Sequence, residues 1–351
     1  MSLDTRSKNS PLRICHVDSE REFRGGQQAL LTLAAGLKAL GHEQSLVCPS
    51  DSELRQRAEA LRLILADSIP SDVDIVHTHS GKAQNTAWWR TLGKPVVRVV
   101  TRHVAFAPKG ALLHRLKYTY TCDGVIAVSE SVRERLIQSG VPEQHIAVIP
   151  TGVALPSEYR RTPGERFTVG HLGAFTEEKG QSVAVDAALL AEKHIPGLRM
   201  ILGGEGPLRE AVQILASQSS AIETPGFLDD KEAFFAGLDA FLMPSKSEAW
   251  GLAALEAMAH GVPVIASDIG GLREMVKHEE TGWLVPANDA RALAGALIYA
   301  FQRREALGEM GQRARDSAAQ FTIEATAQKT ERFYRRLLSS RQASSASDRR
   351  T

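Results

Sequence analysis

Two glutamates, Glu248 and Glu256, stand eight residues apart in the segment SEAWGLAALEAMAHGVPVIAS, which runs from Ser247 to Ser267. A carboxylate can accept two hydroxyl hydrogen bonds, which is what a sugar diol or a ribose diol offers. The local pattern places the end of a strand near Pro244, a short loop carrying Glu248, and a helix from about Trp250 to just before Gly261. If the stretch were wholly helical, the two acids would lie about 12 Å apart along the axis, the scale of a sugar-diphosphate-ribose unit. Between them the helix start, around Ala249, Trp250, Gly251 and Leu252, presents free N–H groups that favour an anion such as a diphosphate. The same residues also admit a plain reading, with Glu248 as an acid of the capping region and Glu256 as an exposed helical residue.

Further upstream, other residues suit the same chemistry. Arg24-Gly25-Gly26-Gln27 follows one apolar run and precedes a helical one, and glycine lets backbone approach a phosphate closely. A plain turn would explain the pair equally, and the spacing is not the GxGxxG of a dinucleotide site. His77 and His79 alternate by two and share one face of a strand, yet no third ligand accompanies them at metal-site spacing, so no metal is expected. The acids of Asp72-Val73-Asp74 open a strand, and Asp229-Asp230 precedes a helix where acids act as caps; neither makes a metal site.

These residues must be held by regular elements, and the chain supplies them twice. Arg13–Val17, Glu43–Cys48, Ile75–His79, Val96–Thr101, Gly124–Val128 and Ala147–Ile149 read as strands, separated by amphipathic stretches such as Gln27–Leu40 and Ser131–Ser139. The pattern restarts with strands Phe167–Leu172, Arg199–Gly203, Ala240–Met243 and Val262–Ala266. Residues 151–166, with Pro156, Pro163 and Gly164, punctuate the halves. An α/β fold with Rossmann-like domains over residues 11–155 and 165–320 follows, with functional residues at strand ends facing a cleft. Asp289–Arg303 and Ile323–Leu338 read as helices, the latter (321–338) expected to return to the N-terminal domain, and the polar tail 339–351 reads as disordered.

Composition constrains the class more than the chemistry. At 351 residues, 43% hydrophobic and 24% charged, the chain suits two globular domains. Cys15, Cys48 and Cys122 have no CxxC spacing and fit reduced thiols. No apolar run is long enough for a signal peptide or a membrane span, so a cytoplasmic protein is expected. The net charge of +1 hides an asymmetry: no Asp or Glu occurs between Asp74 and Asp123, a window holding Lys82, Arg90, Lys94, Arg98, Arg102, Lys109, Arg115 and Lys117. That basic face would attract phosphate or an anionic lipid surface, and the run from Pro108 to Tyr118, mixing leucines with cations, suits peripheral contact on the inner face of the membrane. A solvated face balanced elsewhere, over an ordinary helix, is the alternative.

Glu248, seven residues, Glu256, then Ala257 and Gly261-Val262-Pro263-Val264 together resemble the EX7E signature of retaining glycosyltransferases of family 4, whose members adopt the GT-B fold of two Rossmann-like domains. The resemblance runs from about Leu12 to Leu338. It implies that Glu248 contacts the donor sugar and Glu256 the nucleotide ribose, with Ala249, Trp250, Gly251 and Leu252 on the donor between them. Gly25 and Gly26 resemble the glycine-rich loop beside donor phosphates and acceptor. His79, in the HxHS run, and Arg102 fall on the acceptor side, and His103 beside the transferred sugar. Gly173 to Gly180 resembles the phosphate loop, with Lys179 on the diphosphate and Ala174 where many members carry Arg. Gly204, Glu205 and Gly206 would flank the nucleotide, and Gly226-Phe227 the base. His103, Glu248 and Lys179 are thus the expected catalytic residues.

The activity implied is transfer, with retention, from a UDP- or GDP-sugar to a glycan or lipid-linked acceptor in cell-envelope polysaccharide or lipopolysaccharide synthesis, without cofactor, metal or nucleic-acid partner. A non-hydrolysing sugar-nucleotide epimerase or a non-catalytic sugar-nucleotide-binding protein of the same architecture is the alternative.

Overall fold

The computed structural model describes residues 10–103, 111–157, 162 and 164–348; Lys109 and Pro163, named above, lie outside them, as do the first nine and last three residues. The chain divides into two compact units. One comprises Met1–Gly152 and Ile323–Thr351, the other Val153–Thr322.

In the first unit the elements alternate as β1 (Arg13–Val17), α1 (Gly25–Ala39), β2 (Glu43–Val47), α2 (Glu53–Ala60), β3 (Ile64–Leu65), β4 (Ile75–Thr78), α3 (Gly81–Arg90), β5 (Val97–Arg102), α4 (Ala111–Tyr120), β6 (Gly124–Ala127), α5 (Glu130–Gln138) and β7 (Ile146–Val148). The sheet order is β3-β2-β1-β4-β5-β6-β7, and its pairings are parallel. Its central strands are mostly buried and rich in Val and Ile, with His16 and His77 among them, as a sheet covered on both faces allows. Several helices start on a capping hydroxyl: Ser52, Ser80 and Ser129 accept from Arg55, Ala83 and Val132 N–H.

The second unit repeats the plan. It runs β8 (Thr168–Leu172), α6 (Gln181–Ala191), β9 (Arg199–Gly203), α7 (Arg209–Ala216), β10 (Ile222–Gly226), α8 (Lys231–Ala236), β11 (Ala240–Met243), α9 (Leu252–Ala259), β12 (Val264–Ser267), α10 (Gly270–Met275), β13 (Gly282–Val285), α11 (Ala290–Gln302) and α12 (Leu307–Ala318). The order is β10-β9-β8-β11-β12-β13. In both sheets the first strand lies centrally and the order reverses beside it, at β1/β4 and at β8/β11. In open α/β sheets a ligand sits outside the strand ends at such a reversal.

The last helix, α13 (Ile323–Asp348), belongs to the first unit. It continues ten residues past the Leu338 expected as its end, so residues 339–348 are helical where a disordered tail was expected. Within this stretch the Arg341 guanidinium donates to Val96 C=O at 2.7 Å and to Asp123 at 3.2 Å, tying the helix there to the sheet. Low complexity carries no penalty when one long side chain is anchored on a folded strand end.

Beneath this helix the first unit buries a chain of imidazoles. Strand register sets His16 beside His77. Tyr334 OH of α13 lies 2.6 Å from His77 Nδ1, and Thr101 Oγ1 2.6 Å from its Nε2. His16 Nδ1 is 3.1 Å from His79 Nε2, and its Nε2 is 2.8 Å from Gln44 Oε1. Burial lowers the pKa of His16 and of His103 to about 4, and holds His77 and His79 well below the usual value. Burial penalises the charged form, so all four are neutral at physiological pH.

A pH dependence follows. The unfolded chain takes up protons on these histidines near the ordinary value of 6.5, while the folded chain does so only towards about 4. Stability is therefore complete above about pH 6.5 and is lost as pH falls towards 4, because the unfolded state binds more protons in that window. All three cysteines lie in this unit, with Cys15 and Cys122 buried, so their labelling by an acid-tolerant disulfide reagent reports its opening. The urea midpoint read this way is expected to fall between pH 7.5 and pH 5; a midpoint independent of pH would contradict the account.

Candidate functional site

The loops at the β8/β11 reversal carry the residues singled out in the sequence. After β8, residues 173–176 lead into a turn at Glu177–Lys179 and then α6. The loop is held from below by Gln181, whose amide nitrogen donates to Ala174 C=O at 2.8 Å and lies 3.2 Å from His171 Nε2. His171 Nδ1 in turn meets Leu242 C=O at 3.0 Å, and burial lowers that imidazole's pKa to about 4, so it serves as a neutral bridge between β8 and β11.

Gly180 has φ of 69°, and a Cβ there would lie 2.1 Å from Pro244 C=O, so only glycine lets these two loops touch. Lys246 N–H donates to Glu178 C=O across the same contact at 2.8 Å. The result is that Lys179 Nζ reaches Glu248 Oε2 at 2.6 Å, with the Glu248 side chain only 12% exposed. Two residues separated by 69 positions are thereby placed together, as their expected roles require.

The start of α9 lies immediately beyond. The helix begins at Leu252 rather than near Trp250, because Gly251 takes a left-handed conformation as its N-cap. Its first helical bond is Leu255 N–H to Gly251 C=O at 3.1 Å, which leaves the first-turn amides for a ligand. Ala249 and Trp250 form the approach, and the Trp250 side chain is buried, edge-on to Phe321 at 5.1 Å. Of Trp250, then, the backbone and not the indole is available to a donor. Glu256 stands one turn inside α9, and both its oxygens are 3.1 Å from Lys231 Nζ.

The β9 loop completes this side. A Cβ on Gly204 would lie 2.0 Å from Gly173 C=O, and Phe175 N–H donates to Glu205 C=O at 2.8 Å. Gly173, Gly204 and Gly206 are thus locked together, and the Glu205 carboxylate pairs with Arg209. Phe227 follows β10 with its ring exposed.

In the first unit the β1/β4 reversal carries the expected acceptor residues. Gly25 and Gly26 form the first turn of α1, which Gln27 secures by accepting from Arg24 N–H at 3.1 Å. A Cβ on Gly26 would touch the His103 ring at 3.5 Å. The His103 ring stacks on that of His79 with centroids 6.1 Å apart. Gly26, His79 and His103 therefore form one group, and Arg102, half-buried at the end of β5, lies beside Gly81 of α3.

The expectation that His77 and His79 lack a third metal ligand is revised. His16, His77 and His79 offer nitrogens within 4.8 Å of one another and could together hold a metal ion. His16 and His77 already have polar partners on both nitrogens, whereas among the described residues His79 Nδ1 and His103 Nε2 have none. Sequence reading also missed Lys231, Gln181 and Tyr334. His16 alone had a usable signal, as a histidine on the strand neighbouring the HxH strand; the others are placed only by tertiary structure.

The comparisons with known proteins bear on the family and the fold. A family model described as "Glycosyl transferases group 1" matches residues 158–317, and one described as "Glycosyltransferase Family 4" matches residues 54–155. The chain is similar to the putative colanic acid biosynthesis glycosyltransferase WcaL of Escherichia coli (strain K12), 35% identical over 192 residues, covering 50% of this chain and 47% of that protein. It is also similar to the GDP-mannose-dependent alpha-(1-6)-phosphatidylinositol monomannoside mannosyltransferase of Mycobacterium tuberculosis, 30% identical over 55% of this chain and 56% of the relative. The chain thus spans about half the length of these curated relatives. Among solved structures, Anabaena Alr3699/HepE in complex with UDP superposes with a TM-score of 0.81 at 19% identity, covering 92% of this chain and 99% of that one. That likeness identifies the fold as GT-B, and with the two family models spanning both units, the chain belongs to the group 1 glycosyltransferases of family 4.

Proposed function

We propose that the chain is a retaining glycosyltransferase that moves a sugar from a UDP- or GDP-sugar to a glycan or lipid-linked acceptor in cell-envelope polysaccharide or lipopolysaccharide synthesis. The observation that carries this reading is the contact of Lys179 with Glu248 at 2.6 Å, beside the free amides of α9. A lysine and a helix start together suit a diphosphate leaving group, and Glu248 and Glu256 suit the hydroxyls at its two ends. The relatives support the donor class, since one is named for GDP-mannose and a structural neighbour is in complex with UDP.

In this reading Lys179 passes from Glu248 to the diphosphate as the donor enters, and stabilises the charge that develops there as the sugar departs. Glu248 is then released to accept from the donor sugar. Gly173, Gly204, Glu205, Gly206 and Phe227 line the nucleotide. His103 is neutral, so its imidazole can hold a sugar hydroxyl, and Gly25, Gly26, His79 and Arg102 receive the acceptor. Retention places the attack on the face from which the diphosphate leaves. No metal is assigned, because Lys179 and the helix amides carry the charge.

The acceptor is proposed to be met at the inner face of an anionic membrane. Among the described residues no helix is long and apolar enough to cross a membrane. Trp89, Leu92, Leu116 and Tyr120 are exposed on and beside α3 and α4, among the exposed cations Lys82, Arg90, Lys94 and Arg115. Gln84 donates to Thr121 at 2.8 Å, holding the end of α4 against α3. Apolar side chains ringed by cations suit an interfacial helix.

Incubation with a panel of nucleotide sugars and acceptors should release nucleoside diphosphate, with the initial rate unchanged by EDTA. Lys179→Met is expected to lower kcat about a hundredfold, the usual cost of removing one group aimed at developing charge. Absence of release with every donor would sink the enzyme reading, and epimerised donor without transfer would replace it.

A second assay tests the surface. The protein should co-float with anionic vesicles at low salt, less so with Trp89→Ser combined with Tyr120→Ser, and not with zwitterionic vesicles. No co-flotation at low salt would rule against membrane contact.

A further inference from the structure

The mechanism above uses Glu256 but gives no part to its partner, Lys231. Lys231 is the first residue of α8, which follows the β10 turn carrying Phe227, and its Nζ sits 3.1 Å from both oxygens of Glu256. The lysine therefore occupies the fork of the carboxylate. Each carboxylate oxygen has two lone-pair directions, so this leaves one free on each oxygen. Glu256 can then accept two neighbouring hydroxyls while still paired.

Charge gives the pair a purpose. A dianionic diphosphate must bind near two carboxylates, and of the lysines in contact with them Lys179 serves Glu248. Were Lys231 absent, Glu256 would stand as an uncompensated negative charge at the nucleoside end. With it, the four side chains sum to zero before the donor arrives, so the α9 amides and Lys179 act on the diphosphate without an opposing field. The pair also ties the β10 turn to α9, because Asp230 caps α8 by accepting from Ala233 N–H at 2.9 Å and so fixes where Lys231 begins.

Resting on the donor-site reading above, we propose that Lys231 is a positioning residue: it holds the Glu256 carboxylate by its fork and neutralises it, so that a ribose diol is bound beside a diphosphate. The lysine side chain is 45% exposed and the glutamate 23%. Pairs of this kind contribute little to folding, so Lys231→Gln should leave the melting temperature unchanged and alter only ligand binding.

The test is calorimetric titration of the full chain with UDP and GDP, and with their 2′-deoxy counterparts. Lys231→Gln is expected to weaken the better-bound ribonucleotide about two- to fivefold, the range for losing one partly exposed charge interaction. It should also narrow the ratio of ribo to deoxy affinity, and Lys231→Arg should restore both. In a Glu256→Gln background the same substitution should cost little further. Unchanged affinity and ratio in Lys231→Gln would overturn the proposal, and so would an undiminished loss in the Glu256→Gln background, which would put Lys231 on the ligand itself. Failure of the unaltered chain to bind either nucleotide would overturn it together with the donor-site reading, whereas binding that ignores Lys231 would overturn this inference alone.

Discussion

The second unit depends on backbone touching backbone at two glycines. Gly180 lies against Pro244 C=O and Gly204 against Gly173 C=O, at separations where a Cβ would overlap the oxygen. The loops after β8, β9 and β11 are therefore one interlocked layer above the sheet. A sheet aligns strand ends but leaves its loops free, so this added constraint is what sets the separation of the backbones that carry Lys179 and Glu248. Because the contacts are made by main chain, side-chain rotamers do not loosen them. Gln181 and His171 brace the layer from beneath, through neutral hydrogen bonds that a buried charge could not make at tolerable desolvation cost.

Much of this was legible in the sequence, and the limits of that reading are physical. Parallel strands buried on both faces are near-continuous apolar runs, so β1, β4, β8, β9 and β11 announce themselves. Gly226 and Gly282 show where the signal fails. β10 and β13 include polar residues or glycine, are short, and lie at the edges of the second sheet, and both escaped notice. The start of α9 was misplaced by two residues because Gly251 takes a left-handed conformation that ends the loop, at a place where Leu272 leaves no room for a Cβ. The disordered tail was misjudged for a related reason. Composition reports what a segment can bury, and it does not register a polar anchor such as Arg341, which bonds to Val96 and Asp123.

The candidate site shows the same division. Glu248 and Glu256 stood out as two carboxylates bracketing a helix start, but their roles, and Lys179 altogether, came from the resemblance to family 4 rather than from spacing. Their pairings did not stand out, because partnership across 69 residues, as between Lys179 and Glu248, or 25, as between Lys231 and Glu256, has no sequence period. The metal argument over His77 and His79 failed in the same way. It searched along the chain for a third ligand, while the neighbour was the adjacent strand, where parallel register alone sets His16 next to His77.

The two units bring opposite chemistries to their strand ends. In the second, charge is kept: Lys179 with Glu248, Lys231 with Glu256 and Arg209 with Glu205 are part-exposed pairs that an entering anion can rearrange at modest cost. In the first, charge is suppressed: His16, His77, His79 and His103 are buried deeply enough that burial alone keeps them neutral. A neutral imidazole nitrogen can exchange hydrogen bonds with a hydroxyl but offers little to a phosphate, and a lysine beside helix amides does the reverse. Such a division of labour suits the proposed transfer, in which one unit takes a diphosphate and the other an uncharged hydroxyl. The links of His16 and His77 to Gln44, Thr101, His79 and Tyr334 fit this, since partners on both nitrogens hold a neutral buried ring in its orientation.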